Sequence, residues 1–161
     1  MKYTTAATGG TFDHLHRGHH ALLSRSFEVA DHVIIGVTSD KLAAGEGKTP
    51  DLSYSQRVRQ LKGYLRSNFP GRSFTIAKLD DYFGPGIAAP DVQAIVVSSE
   101  TVSRVPIANK LRAARGFPPL EVIVVDYVLA EDGRPISSTR IRRGEIDAEG
   151  RIRKLNVQRG F

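Results

Sequence analysis

The chain has 161 residues, 23 Lys and Arg against 17 Asp and Glu for a net charge of +6, 40% hydrophobic residues, and no cysteine. That length fits one domain able to bury most of its apolar surface, the charge fits an anionic partner, and the missing cysteines exclude disulfides, thiol catalysis and cysteine metal sites. The opening MKYTTAATGG has no signal-peptide core, and no run approaches the roughly 20 apolar residues of a membrane helix, which predicts a cytoplasmic protein with no membrane partner.

Short β-branched runs alternate with helical periodicities along the chain. The first strand is predicted at residues 3–8, followed by a helix at 18–30 with Leu23, Phe27 and Ala30 on one face. A strand at 32–38 (HVIIGVT) leads through a loose 43–51 to a helix at 54–67, with Val58, Leu61 and Leu65 on one face and Ser53 or Ser55 as its cap. Strands follow at 73–79 and 94–98, separated by a loose 80–90. A helix at 105–115 has Pro106 in its first turn and closes at Gly116, Pro118 and Pro119. The fifth strand is 120–125, and a short helix at 138–143 is entered through Ser137, Ser138 and Thr139.

This alternation predicts an α/β, Rossmann-like, doubly wound five-stranded parallel sheet in a single domain spanning 1–161. The second, fourth and fifth strands are nearly continuous apolar runs and are expected in the centre. The tail after Gly144 is expected to be loose, with 143–161 a basic, loosely packed extension holding Arg143, Arg151, Arg153, Lys154 and Arg159. A solvated tail is favoured there over a nucleic-acid surface, because no aromatic residues are interleaved with the charges. In doubly wound sheets the ligand lies beyond the carboxyl ends of the strands, where the winding reverses. The first strand-to-helix loop is therefore the place to look.

That loop carries Gly9 and Gly10, then Thr11, Phe12 and Asp13, then His16-Arg17-Gly18-His19 entering a helix. Glycines let backbone approach a phosphate, and a helix start offers unpaired N–H groups. His16 and His19, three apart with Gly18 between them, can project to one side as two donors. A metal reading of His14, His16, His19 and His20 is disfavoured, since paired helical ligands for zinc usually stand four apart. The bland reading is histidines that cap the loop.

The string GGTFDHLHRGHHALL resembles the HxGH signature of the cytidylyltransferase-like superfamily, and ISSTRIRRGEI at 136–146 is similar to its second motif. Within it, Gly9 to Leu23 and Val96 to Thr101 resemble segments of the phosphopantetheine adenylyltransferases of the archaeal and eukaryotic type. The resemblance implies an HxGH-type nucleotidyltransferase that moves AMP from ATP to 4′-phosphopantetheine, giving dephospho-coenzyme A and pyrophosphate in coenzyme A biosynthesis. It implies His16 and His19 on the α- and β-phosphates and Gly9, Gly10, Thr11, Phe12 and Gly18 around the nucleotide. Thr11 would also meet the incoming phosphate. A lysine after the second strand is implied, either Lys41 or Lys48, with Lys48 preferred for catalysis and substrate binding because it lies in a Gly-rich loop. Arg57 resembles a family arginine, its bland reading being a surface helix charge. Ser137, Ser138, Thr139 and Arg140 would hold the β- and γ-phosphates. No protein metal ligand set is expected: Mg²⁺ would ride on the phosphates, with Asp13 a candidate for holding it through water or merely bracing the loop.

One departure is Ser99, where archaeal members usually have an acidic residue. The runner-up activities are cytidylyl transfer to glycerol phosphate or ethanolamine phosphate and adenylyl transfer to nicotinamide or flavin mononucleotide. A non-catalytic nucleic-acid module is the remote alternative, and a homo-oligomer is left open.

Overall fold

The structure, a computed structural model, describes residues 2–81, 84, 89–99 and 101–153. Along them run β1 (Tyr3–Gly10), α1 (Arg17–Val29), β2 (Ala30–Thr38), α2 (Asp40–Gly45), α3 (Tyr54–Asn68), β3 (Ser73–Leu79), β4 (Ala94–Ser98), a 3₁₀ turn (Val102–Arg104), α4 (Val105–Ala114), β5 (Glu121–Val125) and α5 (Ser138–Arg142). The strands pair in parallel in the order β3-β2-β1-β4-β5, the expected five-stranded α/β sheet. The winding reverses between β1 and β4, which makes their carboxyl ends the ligand-binding crevice.

The register decides which side chains share a face. Ala6 of β1 lies beside Val33 of β2, and with Ile35 and Val96 they join Leu23 and Phe27 of α1 and Leu61 and Leu65 of α3 in the main core. One residue on, Ala7 lies beside Ile34 and Ile95 on the opposite face. That face is covered through Val105 of α4, in a smaller cluster with Ile95 and Val97.

Several expectations change. β5 is an edge strand, not a central one: Val122 and Val124 are 41% and 47% exposed, and an apolar run marks burial only when a second layer arrives to cover it. The centre belongs to β1, which continues through Gly9 and Gly10. Ala30 ends α1 and opens β2. Residues 40–45 form α2, capped by Ser39, whose Oγ accepts the Leu42 N–H at 3.0 Å, and six residues are too few to show a helical period. The segment after Gly144, expected to be loose, is folded through Arg153. Ile146 is fully buried beside Ala130 and Ile136, bridges Ile152 in antiparallel fashion, and brings the Ala148 carbonyl to the Arg17 N–H at 3.3 Å. Lys154 and Arg159, together with Glu100 and much of 80–90, lie outside the described residues.

Candidate active site

α1 begins at the first motif. His16 is its N-cap in an extended conformation, and its Nδ1 accepts the Gly18 N–H at 3.0 Å. His19 turns back so that its own Nδ1 accepts the His16 N–H at 3.3 Å. The two side chains thus form a reciprocal capping box that satisfies helix-start donors. A ring nitrogen that accepts a hydrogen bond carries no proton, so each neutral ring holds its proton on Nε2. Burial, reinforced by His14, lowers His16 to about 4, and burial, reinforced by His16, holds His19 well below 6.5. At neutral pH both are uncharged Nε2–H donors, stacked with ring centroids 3.9 Å apart. Capping and ligand binding therefore use opposite nitrogens of one ring. Gly18 is required by contact: a Cβ there would lie 2.8 Å from His16 Cε1.

The loop ahead of these rings is tied down by buried charge. Phe12 has φ of +54°, which a bulky residue rarely adopts, and its fully buried ring packs 5.1 Å from His19. Its side chain is core beneath the site, which leaves its backbone as the part that can face a nucleotide. Asp13, fully buried, accepts the Asp51 and Leu52 N–H groups and Arg142 Nη1, each at 3.0 Å. Arg57 is no surface charge: fully buried, it donates from Nη1 to the Thr11 and Thr38 carbonyls at 2.7 Å each, from Nε to Leu52 O and from Nη2 to Asp40. The Tyr54 N–H and then Arg57 hold the Asp40 carboxyl below its usual range.

Among the described residues, Asp13, His14 and Asp51 bring three metal-capable atoms within 4.8 Å. The Arg142 guanidinium donates to the same Asp13 Oδ2 that enters this cluster, and His14 Nε2 lies 2.5 Å from Asp51 Oδ2. Arg142 offsets one of the two carboxylates and already occupies Asp13 Oδ2, and magnesium prefers oxygen ligands to a histidine nitrogen, so the set does not fit a magnesium ion.

The second motif stands against the first. Ser138 Oγ donates to the His14 carbonyl at 3.2 Å, and Arg142 reaches Asp13. Ser137 Oγ caps α5 by accepting the Arg140 N–H, and exposed Thr139 accepts from Arg142 Nη2 at 3.1 Å. The Arg140 guanidinium, expected near the outer phosphates, is engaged by Asp132, by Glu145 Oε2 at 2.9 Å and by Pro135 O at 3.1 Å. It braces the turn that carries α5.

Beside this clamp a groove opens on the α4 face of the sheet. It is walled by Ala7, Ile34, Leu79, Ile95, Val97 and Ala108 and ends at Gly9, Gly10 and Thr11. Lys48 lines it, whereas Lys41 is exposed on α2 and does not. Of the expected residues, Gly9, Gly10, Thr11 and Lys48 meet in the groove, while His16, His19, Ser137, Ser138 and Thr139 stand outside its lining. Thr11 lies where the two regions meet. The sequence reading missed the groove, although small residues at Ala7, Gly9, Gly36 and Ala77 mark its floor. It also missed the Asp13–Arg142 link, which joins residues 129 apart and leaves no local pattern.

A strand–glycine–HxGH loop joined at a topological switch point to a late Ser-Ser-Thr helix is the arrangement of a nucleotidyltransferase fold. Residues 7–144 match the cytidylyltransferase-like family model, and the chain belongs to that family. It is 47% identical to the phosphopantetheine adenylyltransferase of Methanothermobacter thermautotrophicus over 155 residues, covering 95% of this chain and 92% of that one. It is 41% identical to the enzyme of the same name from Methanopyrus kandleri, covering 91% of this chain and 92% of that one. Among solved structures it is similar to a protein of unknown function from Archaeoglobus fulgidus, with a TM-score of 0.68, 26% identity, and coverage of 83% of this chain and 99% of that one.

Proposed function

We propose that this protein transfers AMP from ATP to 4′-phosphopantetheine, releasing pyrophosphate and dephospho-coenzyme A. The observation that carries the reading is the pair of uncharged, backbone-locked Nε2–H donors of His16 and His19 beside a groove that ends at Thr11. The likeness to archaeal phosphopantetheine adenylyltransferases names the acceptor.

An oxygen of the acceptor phosphate attacks the α-phosphorus of ATP in line. The new P–O bond forms as the bond to the bridging oxygen breaks, and its electron pair leaves with pyrophosphate. A phosphate ionised at neutral pH needs no general base, and no covalent enzyme intermediate arises. The protein positions the reactants and stabilises charge as it grows on the phosphate oxygens. His16 and His19 donate to the α- and β-phosphates. Thr11 contacts the phosphates at the junction, and Lys48 approaches them from the groove side. Ser138, Thr139 and the start of α5 take the outer phosphates. The apolar groove accepts the arm of the acceptor. Mg²⁺, when bound, neutralises phosphate charge and is carried by ATP itself, since Asp13 serves as a brace.

Pyrophosphate release with ATP or CTP, against 4′-phosphopantetheine or glycerol phosphate, tests this. The expected result is turnover with ATP and 4′-phosphopantetheine alone. Turnover with CTP and not ATP overturns the adenylyl assignment.

A further inference from the structure

Strand register sets the floor of the groove. Gly9 of β1, Gly36 of β2 and Ala77 of β3 stand side by side in it, a row with almost no side chain, and the next row along pairs Thr38 with Leu79. The Thr38 hydroxyl turns to the Gly10 carbonyl at 3.2 Å. Leu79, half-buried, leans back over the glycine row: a Cβ on Gly36 would lie 2.7 Å from its Cδ1, 2.8 Å from its Cγ and 2.9 Å from its Cδ2. A Cβ on Gly9 would lie 3.5 Å from the same Cδ1, and one on Gly84 would lie 2.5 Å from Cδ2. Glycines from three segments thus make room for one leucine. Its methyl groups form an apolar ledge in the groove beside Gly9, close to where the groove ends at Thr11.

Thr11 and Lys48, the proposed phosphate contacts, line the same groove, so a phosphate bound there has an apolar ledge as its neighbour. An acceptor that satisfies both carries an apolar branch next to its phosphate. Resting on the proposed acceptor, that branch is the quaternary carbon of the pantoyl unit, whose two methyl groups stand one methylene away from the phosphate ester oxygen. Glycerol phosphate and ethanolamine phosphate carry a hydroxyl or an ammonium on the corresponding carbon, and a polar group set against leucine loses its water without gaining a partner. We propose that Leu79, lodged over Gly36, is a specificity-determining residue that reads the two methyl groups of the acceptor. Gly36 acts through it: the missing Cβ is what lets the leucine lie across the floor.

The test measures pyrophosphate release at saturating ATP with 4′-phosphopantetheine and with the analogue that lacks both methyl groups. The wild type is expected to favour the methylated acceptor by about 30-fold in kcat/KM, within the range that apolar pockets reach for small alkyl differences. Leu79→Ala narrows that preference by about tenfold, mainly through KM for 4′-phosphopantetheine. Gly36→Ala pushes the leucine off its seat and raises the same KM by about tenfold, whereas the double variant behaves as Leu79→Ala alone, because the new Cβ no longer meets the leucine methyls. KM for ATP moves less than about twofold in all three, as expected for changes confined to the acceptor side. A leucine that only packs the groove would shift both acceptors together, so an unchanged preference in Leu79→Ala overturns the proposal. A Gly36→Ala defect that persists beside Leu79→Ala overturns the role of Gly36. Should the wild type release no pyrophosphate with 4′-phosphopantetheine, the proposed function falls. Calorimetric titration of the two compounds onto wild type and Leu79→Ala without ATP then decides the role of Leu79: a narrowed ratio of Kd upholds it, and an equal ratio or no binding of either compound overturns it.

Discussion

The two motifs that face each other at the proposed triphosphate site are built by opposite means. The first is held by its own backbone: each histidine is locked by a helix-start N–H, and burial keeps both rings uncharged. The second is a five-residue helix held from outside, by Arg142 on Asp13 and by Arg140 on Asp132 and Glu145. The first motif's donors are set by local chemistry, whereas the second motif's position is set by long-range charge pairs. Changes in the first should strike turnover, and changes in the second should strike stability and nucleotide affinity.

The largest expected effect falls on the first motif. His19→Ala removes a fixed Nε2–H donor and should lower kcat by about 100-fold or more, comparable to losing an oxyanion-hole donor, as read by pyrophosphate release. Gly18→Ala leaves both histidines present but puts a Cβ 2.8 Å from His16 Cε1, so the ring must move. A displacement of about 1 Å at a reacting centre costs up to about 100-fold, and a tenfold or greater loss of kcat with little change in melting temperature is expected. Full activity in Gly18→Ala would show that His16 need not hold its observed orientation.

The same contrast between local and long-range construction governs which features are legible in the sequence. The first motif is legible because a capping box and a glycine contact are local: His16, Gly18 and His19 lie within four consecutive positions. The sheet is legible because alternation of apolar runs and helical faces is also local. Arg57, Asp13 and Arg142 were not, since a buried ion pair between distant segments has the same composition as two solvated charges. The turn of Arg140 toward Asp132 was hidden for the same reason, behind its proximity in sequence to Ser138 and Thr139. β5 misled because an apolar edge strand and an apolar central strand are spelled alike.

The second motif supplies the intermediate effects. Arg142→Met strands the fully buried Asp13 carboxylate, and the loss of one partner of such a pair costs roughly 3 kcal/mol when the arginine is itself partly shielded. Melting temperature should fall by roughly 6–12 °C for a domain of this size, with KM for ATP rising. Arg140→Met should lower stability less and leave KM for ATP nearly unmoved, because the Arg140 guanidinium serves the 132–145 turn. A rise in KM for ATP in Arg140→Met matching that in Arg142→Met would make Arg140 a nucleotide contact.

The smallest effect is a dependence of stability on pH that separates the two motifs. His16 titrates at about 4 in the folded chain and near its ordinary 6.5 when unfolded. Between those values the unfolded chain binds a proton that the folded chain does not, so stability rises with pH through the window, is complete above 6.5, and is lost as pH falls toward 4. His19 adds in the same direction from below 6.5. In the second motif, hydrogen bonds from Arg140, then the Arg134 N–H, pull Asp132 down to about 2, so its contribution is present above its ordinary 3.8 and is lost only as pH falls toward 2, below the histidine window. Melting temperature followed from pH 7 to pH 4.5 should therefore decline more steeply in the wild type than in His16→Asn, whose amide oxygen can still accept the Gly18 N–H without titrating. Equal slopes would mean that the ring of His16 meets water more freely than its lodged position implies. Turnover should also stay level between pH 8 and pH 7, because donors that are already neutral have no proton to gain there, and its decline toward pH 6 should follow the second ionisation of the acceptor phosphate at about 6.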